Sequence, residues 1–243
     1  MLKVLAYPLT AIYLFLFGLT LLIFHPIQWV CFNLFGYEAH KRSVSFLNWV
    51  VMRCSNVLGT RYTFINNHTI PTGVPLIIVT NHQSMNDIPA IIWYMRQHHP
   101  KFVAKKELAK GIPSISFNLR HGGSVNIDRK DGKQALSEIA KLGRYIEKHK
   151  RSAVIFPEGT RSRDGNPKPF RTAGLKVLME NAPSALIVPI SINNSWKLLK
   201  YGKFPMGLGA HITFEVHAPL KNTGEPVPLI EQTEMLVKKG IKL

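Results

Sequence analysis

The stretch "PLIIVTNHQSMND" (residues 75–87) joins a run of apolar and β-branched side chains to a short polar segment. Its first half predicts a buried strand, because a continuous apolar run of this length is typical of a strand covered on both faces. Its second half places His82 and Asp87 among small polar residues, ahead of an apolar segment that predicts a helix. A histidine and a carboxylate just past a buried strand are the first indication of chemistry in this chain.

The same alternation of strands and helices continues to the end of the chain. Strands are predicted at 61–66, 75–80, 101–104, 124–127, 152–156, 185–190 and 211–216, and helices at 86–97, 132–150, 173–181 and 229–240. This pattern predicts an α/β fold with a mostly parallel or mixed central sheet flanked by helices. A turn containing Pro71 and Gly73 separates the first two strands. The alternating side chains of 211–216 predict a strand at the edge of the sheet.

The amino-terminal segment differs from the rest, because residues 4–37 carry no formal charge. The 21 residues 4–24 would form a helix about 30 Å long, which matches the hydrocarbon core of a bilayer. A single span and a helical pair that enters one leaflet both fit, since apolar sequence continues after Pro26. We predict a membrane-associated helical segment over 1–58, with a membrane-embedded helix or helical pair, and a second domain over 59–243.

Charge is strongly unbalanced, with 31 lysines and arginines against 14 acidic residues and a formal net charge of +17. Residues 96–176 alone hold 19 basic and 7 acidic side chains. Such a field attracts phosphate esters, nucleic acid or an anionic membrane surface. Because the basic residues follow the apolar segment, we expect the domain on the cytoplasmic side of the cell (inner) membrane. The apolar run is too long for a signal peptide and lacks a small-residue cleavage site.

His82 and Asp87 require a turn between them in order to meet. Five residues along a helix rotate by about 500°, so the two side chains would not share a helical face. Ser84 and Asn86 favour turns and helix N-caps, so a turn here would bring the carboxylate to the imidazole. A carboxylate on one ring nitrogen makes the other nitrogen a better general base. An N-cap aspartate beside a surface histidine is the alternative that this pair alone leaves open.

No nucleophilic side chain accompanies the pair, since the chain has no G-x-S-x-G elbow and no cysteine nearby. The nucleophile is therefore predicted to be a hydroxyl of the substrate. A second polar stretch, "FPEGTRSRDG" (156–165), also follows a predicted strand, so both stretches are expected to line one crevice at the carboxyl ends of the strands. Its glycine allows close approach to a ligand, and Arg161 offers a planar fork for phosphate. A basic surface turn is the alternative.

Four ordered blocks resemble those of the glycerolipid acyltransferases. They are "NHQSMND" (81–87), which is similar to the H-x-x-x-x-D block, "GSVNIDR" (123–129), "FPEGTRS" (156–162), which matches at every position, and "VPI" (188–190). The resemblance covers about residues 60–220 and is strongest to the bacterial 1-acyl-sn-glycerol-3-phosphate acyltransferases, which also begin with an apolar membrane segment. One departure is Ser116, where the family usually has glycine; this segment is expected beside the acyl or acceptor channel.

The resemblance implies a role for each residue of these blocks. His82 would take the proton from the sn-2 hydroxyl of 1-acyl-sn-glycerol 3-phosphate, which attacks an acyl thioester to give phosphatidic acid without an acyl-enzyme. Asp87 would orient His82. The substrate-binding residues would be Lys105, Arg129, Glu158, Gly159, Thr160 and Arg161. The arginines and Lys105 would hold the phosphate, and Glu158 would orient the glycerol portion.

The resemblance also implies the partners. The co-substrate would be acyl-CoA or an acyl-acyl carrier protein, and no cofactor is expected. No metal is expected either, since Cys31 and Cys54 lack metal-ligand spacing. We expect lysophosphatidic acid, an acyl thioester and a bilayer with anionic lipids as partners, and no nucleic acid. If the donor is an acyl-acyl carrier protein, acyl carrier protein is a partner as well. Three alternatives stay open: another acceptor (glycerol 3-phosphate, a lysophospholipid or a lyso-aminolipid), a hydrolase using water, and a non-enzymatic membrane-tethered anion-binding module.

Overall fold

In the computed structural model, which describes residues 2–242, β2 (Leu76–Thr80) lies in the middle of an eight-stranded sheet and is buried throughout. The other strands are β1 (Arg61–Asn66), β3 (Pro100–Lys105), β4 (Val125–Ile127), β5 (Ser152–Ile155), β6 (Leu186–Asn193), β7 (His211–Val216) and β8 (Leu220–Lys221). The helices are α1 (Leu2–Cys54), α2 (Asp87–Tyr94), α3 (Ile115–His121), α4 (Gly132–His149), α5 (Thr172–Asn181) and α6 (Pro226–Lys239). The predicted α/β fold is confirmed. Positions 1 and 243, the outer ends of the predicted domains, lie outside the described residues.

The strand order is β1-β7-β6-β2-β5-β3-β4, with β8 paired to β6. β2 runs parallel to both β5 and β6, whereas β7 and β8 run antiparallel to β6, so the sheet is mixed. The chain segments that follow β2 and β5 therefore emerge side by side at one edge of the sheet. This arrangement brings the two polar stretches of the sequence together, although about seventy residues separate them.

The edge position predicted for residues 211–216 is wrong, because β7 lies between β1 and β6 and β1 is the edge strand. Alternation of apolar and polar side chains indicates that one face of the strand is more exposed than the other. It does not indicate whether the backbone of the strand pairs with one neighbour or with two. β1 and β2, which flank the predicted turn, are likewise not neighbours. β1 pairs instead with β7, in parallel.

Helices cover both faces of the sheet. Alternate residues of β2 point to opposite sides, so Ile78 packs with α1 and α2, whereas Ile77 and Val79 pack with α4, α5 and α6. Each fully buried aliphatic side chain of this kind contributes about 1.5–3 kcal/mol. Gly143 lets α4 approach α5 closely, because a Cβ at this position would lie 2.6 Å from the Asn181 Cβ.

A bend at Gly36 (φ 75°, ψ −164°) divides α1 into a first arm, residues 2–35, and a second arm, residues 37–54. The arms fold back on each other, since the Phe24 and Phe46 rings lie 5.8 Å apart between centroids. The chain thus forms a helical pair, and the entry of that pair into one leaflet stays a prediction. By length and composition, α1 is long and apolar enough to cross a membrane. Its exposed large apolar side chains include Leu14, Phe15, Leu22, Ile23, Ile27, Trp29, Leu34 and Phe35.

The first arm also contacts the rest of the chain through hydrogen bonds. The Ser114 hydroxyl donates to the Leu21 carbonyl oxygen at 2.6 Å, and the Met206 amide donates to the Thr10 hydroxyl at 2.9 Å. One side of the arm is thus fixed to the sheet-bearing body, while the opposite side exposes apolar side chains. The boundary drawn after residue 58 stays a prediction.

Candidate active site

The end of β2 is fixed by a side-chain amide. Asn81 Nδ2 donates to the Ile192 carbonyl oxygen at 2.9 Å, and its Oδ1 accepts from the Ile192 amide at 2.7 Å. Asn81 therefore imitates one more residue of backbone pairing between β2 and β6. The next residue, His82, leaves the sheet at a defined point of its carboxyl edge.

The turn predicted between His82 and Asp87 is present. The Asn86 amide donates to the Ser84 hydroxyl at 3.0 Å, and His82 Nδ1 lies 2.8 Å from Asp87 Oδ2. The His82 ring stacks on Phe156 with centroids 4.1 Å apart, and its side chain is 12% exposed. Because Nδ1 faces the carboxylate, Nε2 is the ring atom available for proton exchange with a substrate.

Asp87 is the first residue of α2, but its carboxylate does not cap that helix. Oδ2 accepts from the amides of Gln83 at 2.8 Å and Ser84 at 2.9 Å, both of which precede the helix. Oδ1 accepts a short hydrogen bond from the Ser195 hydroxyl. The alternative of an N-cap aspartate beside a surface histidine does not describe this geometry.

Ser195 is a site residue that the sequence did not indicate. It follows β6, and its amide donates to Gln83 Oε1 at 3.0 Å while its hydroxyl oxygen lies 3.1 Å from that of Ser84. The segment after β6 thereby locks the turn that carries Asp87. No local pattern marks such a residue, because 108 positions separate the two partners.

Glu158 lies on the other side of His82 and is 2% exposed. Its Oε1 accepts from the His82 amide at 3.3 Å, whereas Oε2 has no hydrogen-bond partner among the described residues. Burial raises the pKa of this carboxyl to about 7, although the hydrogen bond from the His82 amide and the nearby backbone and charge of Lys168 oppose the shift. Near neutral pH the group can both donate and accept a hydrogen bond.

The loop that follows β5 turns sharply at Gly159, which has φ +70°. The Gly159 amide donates to the Phe156 carbonyl oxygen at 3.0 Å, and a Cβ would lie 3.3 Å from the side chain of Arg171. The Ser162 amide donates to the His82 carbonyl oxygen at 2.8 Å, which joins the two polar stretches directly. Thr160 and Arg161 are exposed on this loop.

Three arginines gather beside the same loop. Arg129 Nη1 donates to the Gly159 carbonyl oxygen at 3.1 Å, so the second block meets the third. Burial, followed by the charges of Arg161 and Arg171, lowers the pKa of Arg129, while Glu107 opposes the shift. A concentration of guanidinium groups of this kind favours an anionic ligand. Arg171 was not among the predicted site residues.

Two predicted positions lie at the margin of this geometry. Lys105 ends β3 with an exposed side chain, and its neighbour Lys106 forms an ion pair with Asp128 at 2.5 Å. Ser116, the departure from the family pattern, accepts from the Ile112 amide and donates to the Leu108 carbonyl oxygen, both at 2.9 Å. The serine hydroxyl thus holds together the segment that leads into α3.

No three His, Cys, Asp or Glu side chains within residues 2–242 are grouped so as to hold a metal ion.

A family model described as Acyltransferase matches residues 61–193, which span all four blocks. This chain belongs to the acyltransferase family. The resemblance found in the sequence is thereby confirmed. Over 139 residues the chain is 37% identical to a 1-acyl-sn-glycerol-3-phosphate acyltransferase of Helicobacter pylori. The aligned region covers 54% of this chain and 55% of the relative.

A human relative, 1-acyl-sn-glycerol-3-phosphate acyltransferase beta, is 26% identical over 148 residues. This alignment covers 61% of this chain and 52% of the human protein. The chain therefore spans about half the length of the curated relatives it matches. The crystal structure of a 1-acyl-sn-glycerophosphate acyltransferase from Thermotoga maritima superposes with a TM-score of 0.83 at 23% identity. That match covers 99% of this chain and 96% of the other, so the fold is shared over almost the whole length, including α1.

Proposed function

We propose that this acyltransferase moves an acyl chain from an acyl thioester to the sn-2 hydroxyl of 1-acyl-sn-glycerol 3-phosphate, forming phosphatidic acid. The observation that carries the proposal is the 2.8 Å contact between His82 and Asp87, next to a cluster of guanidinium groups. The names of the curated relatives describe this activity. A general base beside an anion-binding surface is what an acceptor with one free hydroxyl and one phosphate requires.

The reaction needs only one proton carrier. His82 Nε2 takes the hydroxyl proton as the acceptor oxygen attacks the thioester carbonyl carbon, and a tetrahedral intermediate forms. The intermediate collapses, the carbon–sulfur bond breaks, and the imidazolium returns the proton to the departing thiolate. Asp87 holds the ring and balances the transient positive charge, in the manner of the aspartate of a Ser-His-Asp triad. The acceptor oxygen takes the place of the serine, so no acyl-enzyme forms.

Arginines position the acceptor in this proposal. Arg129, Arg161 and Arg171 bind the phosphate through charge-assisted hydrogen bonds, which are about twice as strong as neutral ones. Glu158 binds the glycerol portion, and its support is the buried Oε2 atom without a partner among the described residues. Gly159 keeps the loop close to the ligand. Lys105, exposed at the end of β3, contributes charge at the rim.

We also propose that the first arm of α1 lies in one leaflet, with the sheet-bearing body on the cytoplasmic side. Its exposed apolar side chains support this, because a soluble surface rarely carries so large an apolar patch. Burial of these side chains in lipid is independent of salt, whereas attachment through basic residues is not. The protein should therefore remain with membranes in 1 M salt and leave them in detergent; release by salt alone would remove this part of the proposal.

The activity is tested by thioester consumption with the purified full chain in detergent. Acyl-CoA and acyl-acyl carrier protein are each supplied with 1-acyl-sn-glycerol 3-phosphate, glycerol 3-phosphate, a lysophospholipid, a lyso-aminolipid or no acceptor. We expect rapid consumption with 1-acyl-sn-glycerol 3-phosphate and formation of phosphatidic acid. Release of free fatty acid without acceptor would indicate a hydrolase, and no consumption with any pair would indicate a binding module. Preference for another acceptor would replace the proposed substrate.

A further inference from the structure

A second group of basic side chains lies at the opposite end of the sheet from His82. Lys101 is the second residue of β3, and Arg151 immediately precedes β5, so both lie at strand starts. In the register of the sheet, Lys101 is level with Ala153 and Ala153 with Ile77. Ile77 is five residues before His82, which corresponds to roughly 16 Å along the strand. This group is therefore separate from the candidate active site.

Lys101 lines a small cavity that continues into a surface groove. The cavity has a volume of about 20 Å³ and the groove about 290 Å³, and they share Lys41, Ser45 and Arg96. The cavity is also lined by Lys101, and the groove by Phe46 and Trp93. The cavity is large enough for a group of about the size of a water molecule. The groove opens from the cavity to the surface of the protein.

Lys101 is the most unusual member of the group, because it is 6% exposed and has no ion-pair partner among the described residues. Its ammonium lies 4.9 Å from the centre of the Tyr37 ring, and the Arg151 guanidinium lies over the same ring at 3.7 Å. Burial, followed by the charges of Arg151 and Lys41, lowers the pKa of Lys101 to about 7. A buried cation among like charges is destabilising unless an anion joins it.

Within residues 2–242, one carboxylate has a charge that acts on Lys101, and Lys41 and Arg151 act on the same carboxylate. This carboxylate, Glu38, is 58% exposed and already binds the Lys41 ammonium at 2.8 Å. The surplus of positive charge is therefore not neutralised by the described part of the chain. An anion with several acceptor oxygens would satisfy both the buried ammonium and the guanidinium groups at the edge of the groove.

We propose that this cavity and groove, which we name the strand-start site, bind the phosphate of an anionic phospholipid headgroup. The lipid source is favoured by the neighbouring apolar surface: Leu34 and Phe35 are 68% and 71% exposed just before Tyr37, and Phe46 is 51% exposed at the groove itself. Aromatic side chains next to cations are typical of the membrane–water interface. The inference rests on the proposed membrane attachment of α1, and it does not depend on the acyl-transfer reaction.

A lipid phosphate in the strand-start site would connect elements that are distant in sequence. Lys41 belongs to the second arm of α1, Arg96 follows α2, and Lys101 and Arg151 belong to strand starts of the sheet. A headgroup bound to Lys41, Arg96 and Lys101 would hold the membrane-facing helical pair against the body of the protein. A ligand that binds the folded state alone raises the unfolding temperature by an amount that grows with the ratio of ligand concentration to Kd.

The test is thermal unfolding of the full chain in neutral detergent micelles, titrated with short-chain phosphatidylglycerol, with phosphatidylcholine of the same chain length, or with inorganic phosphate. Four variants accompany the wild type: Lys101→Met, Arg96→Gln, Arg161→Ala in the candidate active site, and Lys176→Gln as matched control. Lys176 is an exposed lysine on α5 that pairs with Glu180. Thioester consumption in pure neutral detergent is recorded for each variant.

We expect phosphatidylglycerol to raise the unfolding midpoint of the wild type, of Lys176→Gln and of Arg161→Ala. The concentration that gives the same rise should be about tenfold higher for Lys101→Met and Arg96→Gln, as one lost charge-assisted hydrogen bond predicts. These two variants should keep wild-type activity within about twofold in neutral detergent, since neither residue is in the crevice. Because Arg96 is exposed, Arg96→Gln decides the matter if Lys101→Met does not fold.

Three results would overturn the inference. An equal response to phosphatidylcholine would mean that headgroup charge is irrelevant, and an equal response to inorganic phosphate would mean that the ligand is a free anion. Loss of the response in Arg161→Ala, with Arg96→Gln unaffected, would place the lipid in the candidate active site. Thioester consumption is measured independently, so failure of the strand-start site leaves the proposed reaction standing, and the reverse also holds.

Discussion

Asp87 and Glu158 are both buried beside His82, yet their hydrogen bonds differ. Asp87 accepts from the His82 ring, from two backbone amides and from the Ser195 hydroxyl, so both of its oxygens are occupied. Glu158 accepts one hydrogen bond from the His82 amide, and its second oxygen has no partner among the described residues. A saturated carboxylate holds a neighbouring side chain in place, whereas an open one is able to bind a ligand.

This difference assigns the two carboxylates to different tasks. In the proposed reaction Asp87 orients the base, and its two oxygens are both occupied by hydrogen bonds within the protein. Glu158 is held in a buried position where its charge is unfavourable, as its raised pKa of about 7 indicates. Groups kept in unfavourable surroundings cluster at functional sites, because a substrate can satisfy them. In the proposed reaction, the loop after β2 therefore supplies the proton carrier, and the loop after β5 supplies the binding surface.

The largest effect is expected for His82→Ala, which removes the proton carrier and leaves both carboxylates. Turnover should fall by about 10²–10⁴-fold, the range typical of losing a general base. The side chain is 12% exposed and stacks on Phe156, so the stability of the variant is measured beside its activity. Thioester consumption and the thermal unfolding midpoint are measured on the same preparation. Near-normal turnover of a folded variant would rule the mechanism out.

Arg161→Ala tests the binding side of the comparison. The KM for 1-acyl-sn-glycerol 3-phosphate should rise about 10–100-fold, the worth of one or two charge-assisted hydrogen bonds, and a neutral monoacylglycerol should be affected far less. Arg129→Ala should act in the same direction. Arg163→Ala is the matched control, because Arg163 is exposed on the same loop. Equal losses with charged and neutral acceptors would show that Arg161 has a structural role.

Ser195→Ala tests whether the saturation of Asp87 matters. The change removes one donor from Asp87 Oδ1 and leaves the contact between Asp87 and His82 in place. Turnover should fall about five- to tenfold with little change in KM, since one buried hydrogen bond contributes about 1 kcal/mol. Ser195→Thr keeps the hydroxyl and should restore most of the activity. If Ser195→Thr and Ser195→Ala lose activity equally, packing and not the hydrogen bond is responsible.

The smallest effect is on stability and concerns Glu158→Gln. The folded protein retains the Glu158 proton that the unfolded chain releases between the ordinary pKa of 4.5 and about 7. Stability therefore falls as pH rises through this window, and glutamine, which does not ionise, removes that loss. Lys168 and Asp87 are the charged groups whose fields act on this carboxyl.

The unfolding midpoint of Glu158→Gln minus that of the wild type should be larger at pH 8 than at pH 5. The unfolding midpoints of both proteins at the two pH values check this expectation. A difference between variant and wild type that does not change with pH would show that the carboxyl does not change its ionisation on folding.

Sequence reasoning succeeded where the information was local. The His82–Asp87 contact follows from turn-forming residues within a five-residue spacing, and the strands follow from apolar runs. It failed where partners are distant, as for Ser195, which meets Asp87 across 108 positions, and for Arg171, which packs on Gly159. The bend at Gly36 was equally hidden, because residues 4–37 carry no formal charge and give no sign of where a helix reverses.

Local sequence patterns also did not predict the order of the strands or the short helix α3. The pairing of β7 with β1 and β6 depends on which strands meet during folding, and alternation of side chains does not specify it. The seven-residue helix α3 follows Gly111 and Pro113, which favour a loop, and it is stabilised by packing of Phe117 against the Phe32 and His40 rings of α1.

The division of labour between the two carboxylates is the central claim, and it is tested most directly by kcat and KM of Asp87→Asn and Glu158→Gln in one assay with 1-acyl-sn-glycerol 3-phosphate. Asp87→Asn should lower kcat by about a hundredfold or more with little change in KM, because the base loses its orientation. Glu158→Gln should raise KM about tenfold and change kcat by no more than about threefold, because it weakens binding of the acceptor. Equal losses in kcat with unchanged KM for both variants would contradict the account.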